Sequence, residues 1–188
     1  SFGGDELGIF AIRASDGGHP VRLTRNPFSG DGAADLPGDY APDGSQLVFM
    51  RSRPASDAHP EAGGALFVKN TDGSGSRRIT PYGFPQWEEY GWAVHWSPDG
   101  DEILFASVKG RLFLIHPDGT GLRKIHLRTG GDPYYAVSPD WSPDGSQIVF
   151  SMFLGEHDDI YTADADGTHV AQATDTEPWD NSADWAAP

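Results

Sequence analysis

The chain has 188 residues, a formal net charge of −15 and no cysteine. That excludes disulfides and thiolate metal sites, and it argues against nucleic-acid binding, because an acidic surface repels phosphate. A 37% apolar and 12% aromatic composition fits one folded domain with a sizeable core rather than disorder, and no run approaches the ~18 apolar residues of a membrane span, so membrane insertion is not expected. The acidity is uneven, with 21 Asp against 7 Glu. Aspartate bonds to nearby backbone amides in turns, so much of the charge is turn chemistry. The functional counterpart is a field that attracts cationic partners or Ca²⁺. No basic-then-apolar leader opens these residues and no initiator Met is present, so the chain reads as a mature or trimmed product.

In chain order, a strand is predicted at 8–12, before an Asp16-Gly17-Gly18 turn. Tyr40-Ala41-Pro42-Asp43-Gly44 then leads into apolar runs at 46–50 and 65–69, closed by Asp72-Gly73-Ser74. The pattern returns as Trp96-Ser97-Pro98-Asp99-Gly100, runs at 102–106 and 112–115, and Asp118-Gly119-Thr120. It returns again as Trp141-Ser142-Pro143-Asp144-Gly145, runs at 147–151 and 159–162, and Asp166-Gly167-Thr168. A last copy begins at Asp184-Trp185. No ten-residue stretch has helical periodicity, so short strands between Gly-rich turns predict an all-β repeat architecture. Pro presets φ in these turns, Asp accepts from backbone amides, and Gly accepts positive φ.

Each repeat then holds four strands, A to D, with Pro-Asp-Gly joining A to B and the second Asp-Gly joining C to D. Trp141 follows Trp96 by 45 residues and Trp185 follows Trp141 by 44, whereas Trp96 follows Tyr40 by 56. The excess falls in the B–C loop, about 52–64. In an antiparallel four-stranded unit the stereotyped A–B and C–D turns share one end. The variable B–C and D–A connections share the other, where repeat proteins usually carry their binding residues.

These residues resemble the TolB-like (WD-like) β-propeller repeat: an aromatic, Ser-Pro-Asp-Gly, an apolar B strand, a loop, an apolar C strand, and Asp-Gly-Thr/Ser. The match is close over 141–174 and 96–126. It is looser over 40–80, where Tyr replaces Trp and Ala replaces Ser. The resemblance implies a β-propeller of four-stranded antiparallel blades, about four of them. The chain reads as one propeller-repeat domain over 1–188, with a partial blade at 1–25, repeats at about 39–80, 95–127 and 140–175, and the start of the next at 183–188. The aromatic of strand A would pack between blades. Three closures remain open: part of a longer propeller, a four-bladed ring, or a ring completed by self-association with a second chain.

Two groups of side chains are candidate sites. Asp39, His95, Asp140 and Asp184 each precede the strand-A aromatic, which by blade symmetry places them near the central channel. Such a ring could hold a divalent cation such as Ca²⁺, although backbone hydrogen bonding by each Asp is the simpler reading. The D–A connections carry Phe28, Tyr82, Phe84, Trp87, Glu88, Tyr90, Tyr134, Tyr135 and Trp179, aromatics among acids that suit a protein, peptide or carbohydrate ligand, or equally tuck between blades as core. Trp87 and Tyr90 are expected to be the more exposed. Asp164-Ala165-Asp166-Gly167 is half of a Ca²⁺ loop and reads better as a hairpin turn. No nucleophile elbow, zincin motif or phosphate loop is present in the sequence. The resemblance implies a non-catalytic binding or scaffold module with no cofactor, periplasmic or secreted in a bacterium. The alternative it implies is an enzyme-associated propeller, either a peptidase gating domain or a metal-dependent lyase like the oligogalacturonate lyases.

Overall fold

The computed structural model describes residues 8–28, 33–56, 63–84, 93–107, 109–129, 135–153, 158–175 and 179–185. Among them every regular element is a strand. The chain divides into two compact units, Ser1–Pro85 and Gln86–Pro188.

The first unit contains β1 (Phe10–Ala11) and β2 (Val21–Arg22), an antiparallel pair. They are strands C and D of the partial repeat. After them come β3 (Ala34–Tyr40), β4 (Gln46–Arg53), β5 (Gly63–Asn70) and β6 (Arg77–Arg78), a sheet in sequential order. Its core joins Ile9, Leu23, Leu47 and Phe49. The pairing of Arg51 opposite Asp35 brings their side chains into a bidentate ion pair with both contacts at 2.7 Å. Strands β4 and β5 run on to Arg53 and from Gly63, so part of the extra B–C length of this repeat is added strand rather than loop.

The second unit contains β7 (Val94–Trp96), β8 (Ile103–Ser107), β9 (Arg111–Ile115) and β10 (Arg123–Lys124) in one sheet. A second sheet holds β11 (Tyr135–Trp141), β12 (Gln147–Phe153), β13 (Asp158–Asp164) and β14 (Ala171–Gln172). One apolar cluster spans both sheets, with Leu104, Leu112 and Leu114 meeting Trp141, Phe150 and Met152. Gly110 sets the approach between them. Its φ is +60°, its carbonyl accepts from Ala136 N–H at 3.1 Å, and a Cβ there would meet Tyr135 Cα at 2.4 Å. Only glycine fits that backbone at that distance.

The turns form as their sequences require. Ser142 Oγ donates to Asp144 Oδ1 at 2.7 Å and accepts Gln147 N–H at 2.9 Å. Ser97 does the same with Asp99 and Glu102, at 2.6 and 2.9 Å. The Ser142 hydroxyl first, and then the Ser146 N–H and hydroxyl at 3.0 and 2.8 Å, lower the Asp144 carboxyl to about 2. Trp96 and Trp141 are buried, Trp141 within the apolar cluster that joins the two sheets. Tyr40, however, is 46% exposed, which is the cost of the looser match in its repeat.

Candidate functional site

Strand A of each complete repeat lies at one edge of its sheet, and each begins where the D–A connection ends. In the second unit these beginnings face a cleft of ≈ 390 Å³ lined by Ala93, His95, Ser138, Pro139, Asp140, Ser182, Ala183 and Asp184. The pairing of β11 with β12 shifts register between Val137 and Asp140, and Ser138 within that bulge has φ 48°. Ser182 has φ 60°. Non-glycine residues in this left-handed region are uncommon, and bulges re-aim side chains at functional rims. Here the bulge lies two residues before Asp140.

The titratable groups of the cleft contact one another. His95 Nδ1 lies 3.4 Å from Asp140 Oδ1. The hydrogen bond between Asp184 and Asp140 is the largest influence raising the Asp184 carboxyl above the ordinary carboxylate range. The negative charge of Asp140 adds to it, and the charge of His95 opposes it. Two carboxylates so close make full ionisation of Asp184 less favourable than for an isolated aspartate. Asp140 also accepts from the backbone, taking Trp141 N–H at 2.8 Å and Trp185 N–H at 3.4 Å. Asp140 is half-buried and Asp184 exposed, so an incoming cation can reach the pair. Among the described residues no group of three or more His, Asp or Glu is arranged to hold a metal ion.

His95, Asp140 and Asp184 are therefore brought together as the repeat positions anticipate, while Asp39 lies half-buried in the other compact unit. The aromatic candidates divide. Phe28 and Tyr82 pack edge to face at 6.0 Å, Tyr82 contacts Phe67 at 6.2 Å, and Arg53 sits 4.0 Å above the Tyr82 ring. This is a half-buried cluster within the first unit. Phe84 and Tyr135 are half-buried. Trp179 is 60% exposed, in the D–A connection that leads into the cleft-lining segment. Trp87, Glu88, Tyr90 and Tyr134 lie outside the described residues. The sequence reading missed Ser138 and Ser182. Their signal was visible as Ser138-Pro139-Asp140-Trp141 and Ser182-Ala183-Asp184-Trp185, a Ser-x-Asp-Trp pattern repeated after 44 residues.

No protein-family model matches the chain, and no curated protein matches it. Solved structures do. TolB from Acinetobacter baumannii is 16% identical with a TM-score of 0.66 over 93% of this chain. An oligogalacturonate lyase in complex with manganese is 19% identical with a TM-score of 0.62 over 91%. The nidogen/laminin complex matches at 14% identity with a TM-score of 0.56 over 82%. The fold is thus a TolB-like β-propeller fold. The chain spans 39% of the TolB chain, 48% of the lyase and 52% of the chain in the nidogen/laminin complex.

Proposed function

We propose that this chain is a non-catalytic binding module that captures a protein or peptide partner through a cationic side chain placed between Asp140 and Asp184. The carboxylate pair beside His95, in an open cleft at the D–A end of the repeats, is the observation that carries this reading. A guanidinium or ammonium group placed between the two carboxylates would offset the repulsion that raises the Asp184 carboxyl. Charge-assisted hydrogen bonds of this kind are roughly twice as strong as neutral ones. The exposed Trp179 supplies an aromatic contact of the type that dominates binding energetics. The overall charge of −15 draws a cationic partner toward it. The reading gives the chain no bond-making step of its own.

A divalent cation such as Ca²⁺ is the alternative occupant, and the lyase holding manganese supports it by fold analogy alone. An organic cation is favoured because the described residues offer no three-ligand metal group. Likeness to TolB and to a propeller within the nidogen/laminin complex supports a protein partner, and we place the chain in the bacterial envelope or outside the cell on the first of these. Titration of the full chain with a tri-arginine peptide, followed by tryptophan fluorescence, tests the reading. Binding should saturate, weaken with salt, and fall about tenfold in Asp184→Asn. Binding unaffected by that substitution, or reproduced by Ca²⁺ alone, would remove it.

A further inference from the structure

Three of the four D-strand exits share one hydrogen bond. The N–H groups of Ile9, Leu66 and Ile160 donate to the hydroxyls of Thr24, Thr80 and Thr174 at 2.9, 2.8 and 3.0 Å. The residue before each threonine bonds back to the same strand, Leu23 to Ile9, Ile79 to Leu66 and Ala173 to Ile160. In the remaining repeat Ile125 N–H donates to Leu112 O at 2.9 Å, so His126 occupies the threonine position. The His126 side chain is exposed rather than packed. A break in a repeat rule without a packing return marks a position kept for another purpose.

That purpose is visible in what surrounds it. His126 lines a cleft of ≈ 460 Å³ together with Arg123, Lys124 and Arg128, a concentration of bases in a chain of net charge −15. Leu114 and Ile125, both buried, add an apolar lining. Glu102 is committed to Arg123 through a bidentate pair. Asp166, the other carboxylate in the lining, accepts from Thr168 N–H and Oγ at 2.9 and 2.6 Å, and its charge is also attracted to Arg128, so a ligand carboxylate would share Arg128 with it. The walls are also fixed. Arg128 N–H donates to Gly167 O at 3.0 Å, and a Cβ on Gly167 would meet His126 O at 2.6 Å. Basic residues on an edge strand also discourage strand pairing between chains, but that role needs neither a cleft nor an apolar lining.

We propose that this cleft binds an organic carboxylate, its charge met by Arg128, its second oxygen by a ring N–H of His126, and its hydrocarbon body by Leu114 and Ile125. The site is separate from the Asp140 cleft and takes the opposite charge. The probe is 4-phenylbutyrate, added to the ¹⁵N-labelled full chain, with 4-phenylbutanamide as the neutral isostere and inorganic phosphate as an oxyanion without an apolar body. Saturable amide shifts are expected at 125–128 and 165–167 with the carboxylate. Affinity should be about tenfold weaker for the amide and for Arg128→Gln. His126→Thr, which restores the repeat bond, should keep or raise the unfolding midpoint and still weaken the probe. Asp140→Asn should bind the probe unchanged, which separates this site from the one proposed above. Equal binding of the amide, equal binding of phosphate, wild-type affinity in both His126→Thr and Arg128→Gln, or no saturable shift would each overturn the proposal.

Discussion

The backbone N–H of Trp185 donates to Asp140 Oδ2 at 3.4 Å across 45 residues of sequence, while the N–H of Trp141 donates to Asp140 Oδ1 at 2.8 Å. One carboxylate therefore links the strand-A start of its own repeat to that of the next. The same group faces His95 and Asp184, so its structural and its recognition roles are inseparable in a simple deletion.

Asp140→Ala removes both acceptors. Net contributions of about 0.5–1.5 kcal/mol per hydrogen bond imply a loss of roughly 1–3 kcal/mol and a melting temperature lower by a few degrees. Asp140→Asn keeps one carbonyl oxygen and should lose about half as much. Thermal unfolding of both variants measures this. Equal midpoints for wild type and Asp140→Ala would show that the backbone bonds contribute nothing.

Asp184 makes the stability depend on pH with a defined sign. An unfolded aspartate ionises at about 3.9, and the folded Asp184 ionises higher, chiefly through its hydrogen bond to Asp140. Between those two values the folded chain holds more proton than the unfolded one, so this group lowers stability as pH rises through the window. In Asp184→Asn that component disappears. Urea unfolding from acidic to neutral pH should show the variant gaining on the wild type as pH increases, and a constant difference would contradict the raised Asp184 carboxyl.

Much of the fold was legible because turns advertise themselves. Pro-Asp-Gly at 98–100 and 143–145 marked strand boundaries that the sheets reproduce, and the near-equal spacing of Trp96, Trp141 and Trp185 put His95, Asp140 and Asp184 at matching positions. Contacts that depend on register were not legible. The Asp35–Arg51 pair needs the β3–β4 pairing to be known. Tyr82 read equally as a ligand contact or as core, and Arg53 and Phe67 pack against it, since composition alone cannot say which loop aromatics pack inward. His126 escaped notice because its departure is from a hydrogen bond, not from a motif.

A stacked aromatic pair crosses strands B and C in all three complete repeats. Phe49 lies 5.5 Å from Phe67, Phe105 5.6 Å from Phe113, and Phe150 6.3 Å from Tyr161. Each pair is directly opposed in register. Phe105 is fully buried, so Phe105→Ala should cost about 3–5 kcal/mol by opening a cavity. Phe105→Leu should cost clearly less. Chemical denaturation resolves the two, and similar losses would mean that cavity volume is not the controlling factor.

Ser142 offers a local test of the turn. Ser142→Ala removes both the bond to Asp144 and the acceptor for Gln147 N–H. The Asp144 carboxyl should rise from about 2 toward the ordinary aspartate range. Carboxyl-detected NMR titration reads this directly, and an unmoved Asp144 would assign its low value to Ser146 instead.

The most direct test of the binding account is proton release on ligand capture. Calorimetry of the full chain with the tri-arginine peptide, at mildly acidic pH and in two buffers of different ionisation enthalpy, measures it. A cation bound beside Asp184 favours its ionised form, so capture must release protons from the wild type and markedly fewer from Asp184→Asn. Identical heats in both buffers for the wild type, with binding still observed, would contradict capture at the carboxylate pair.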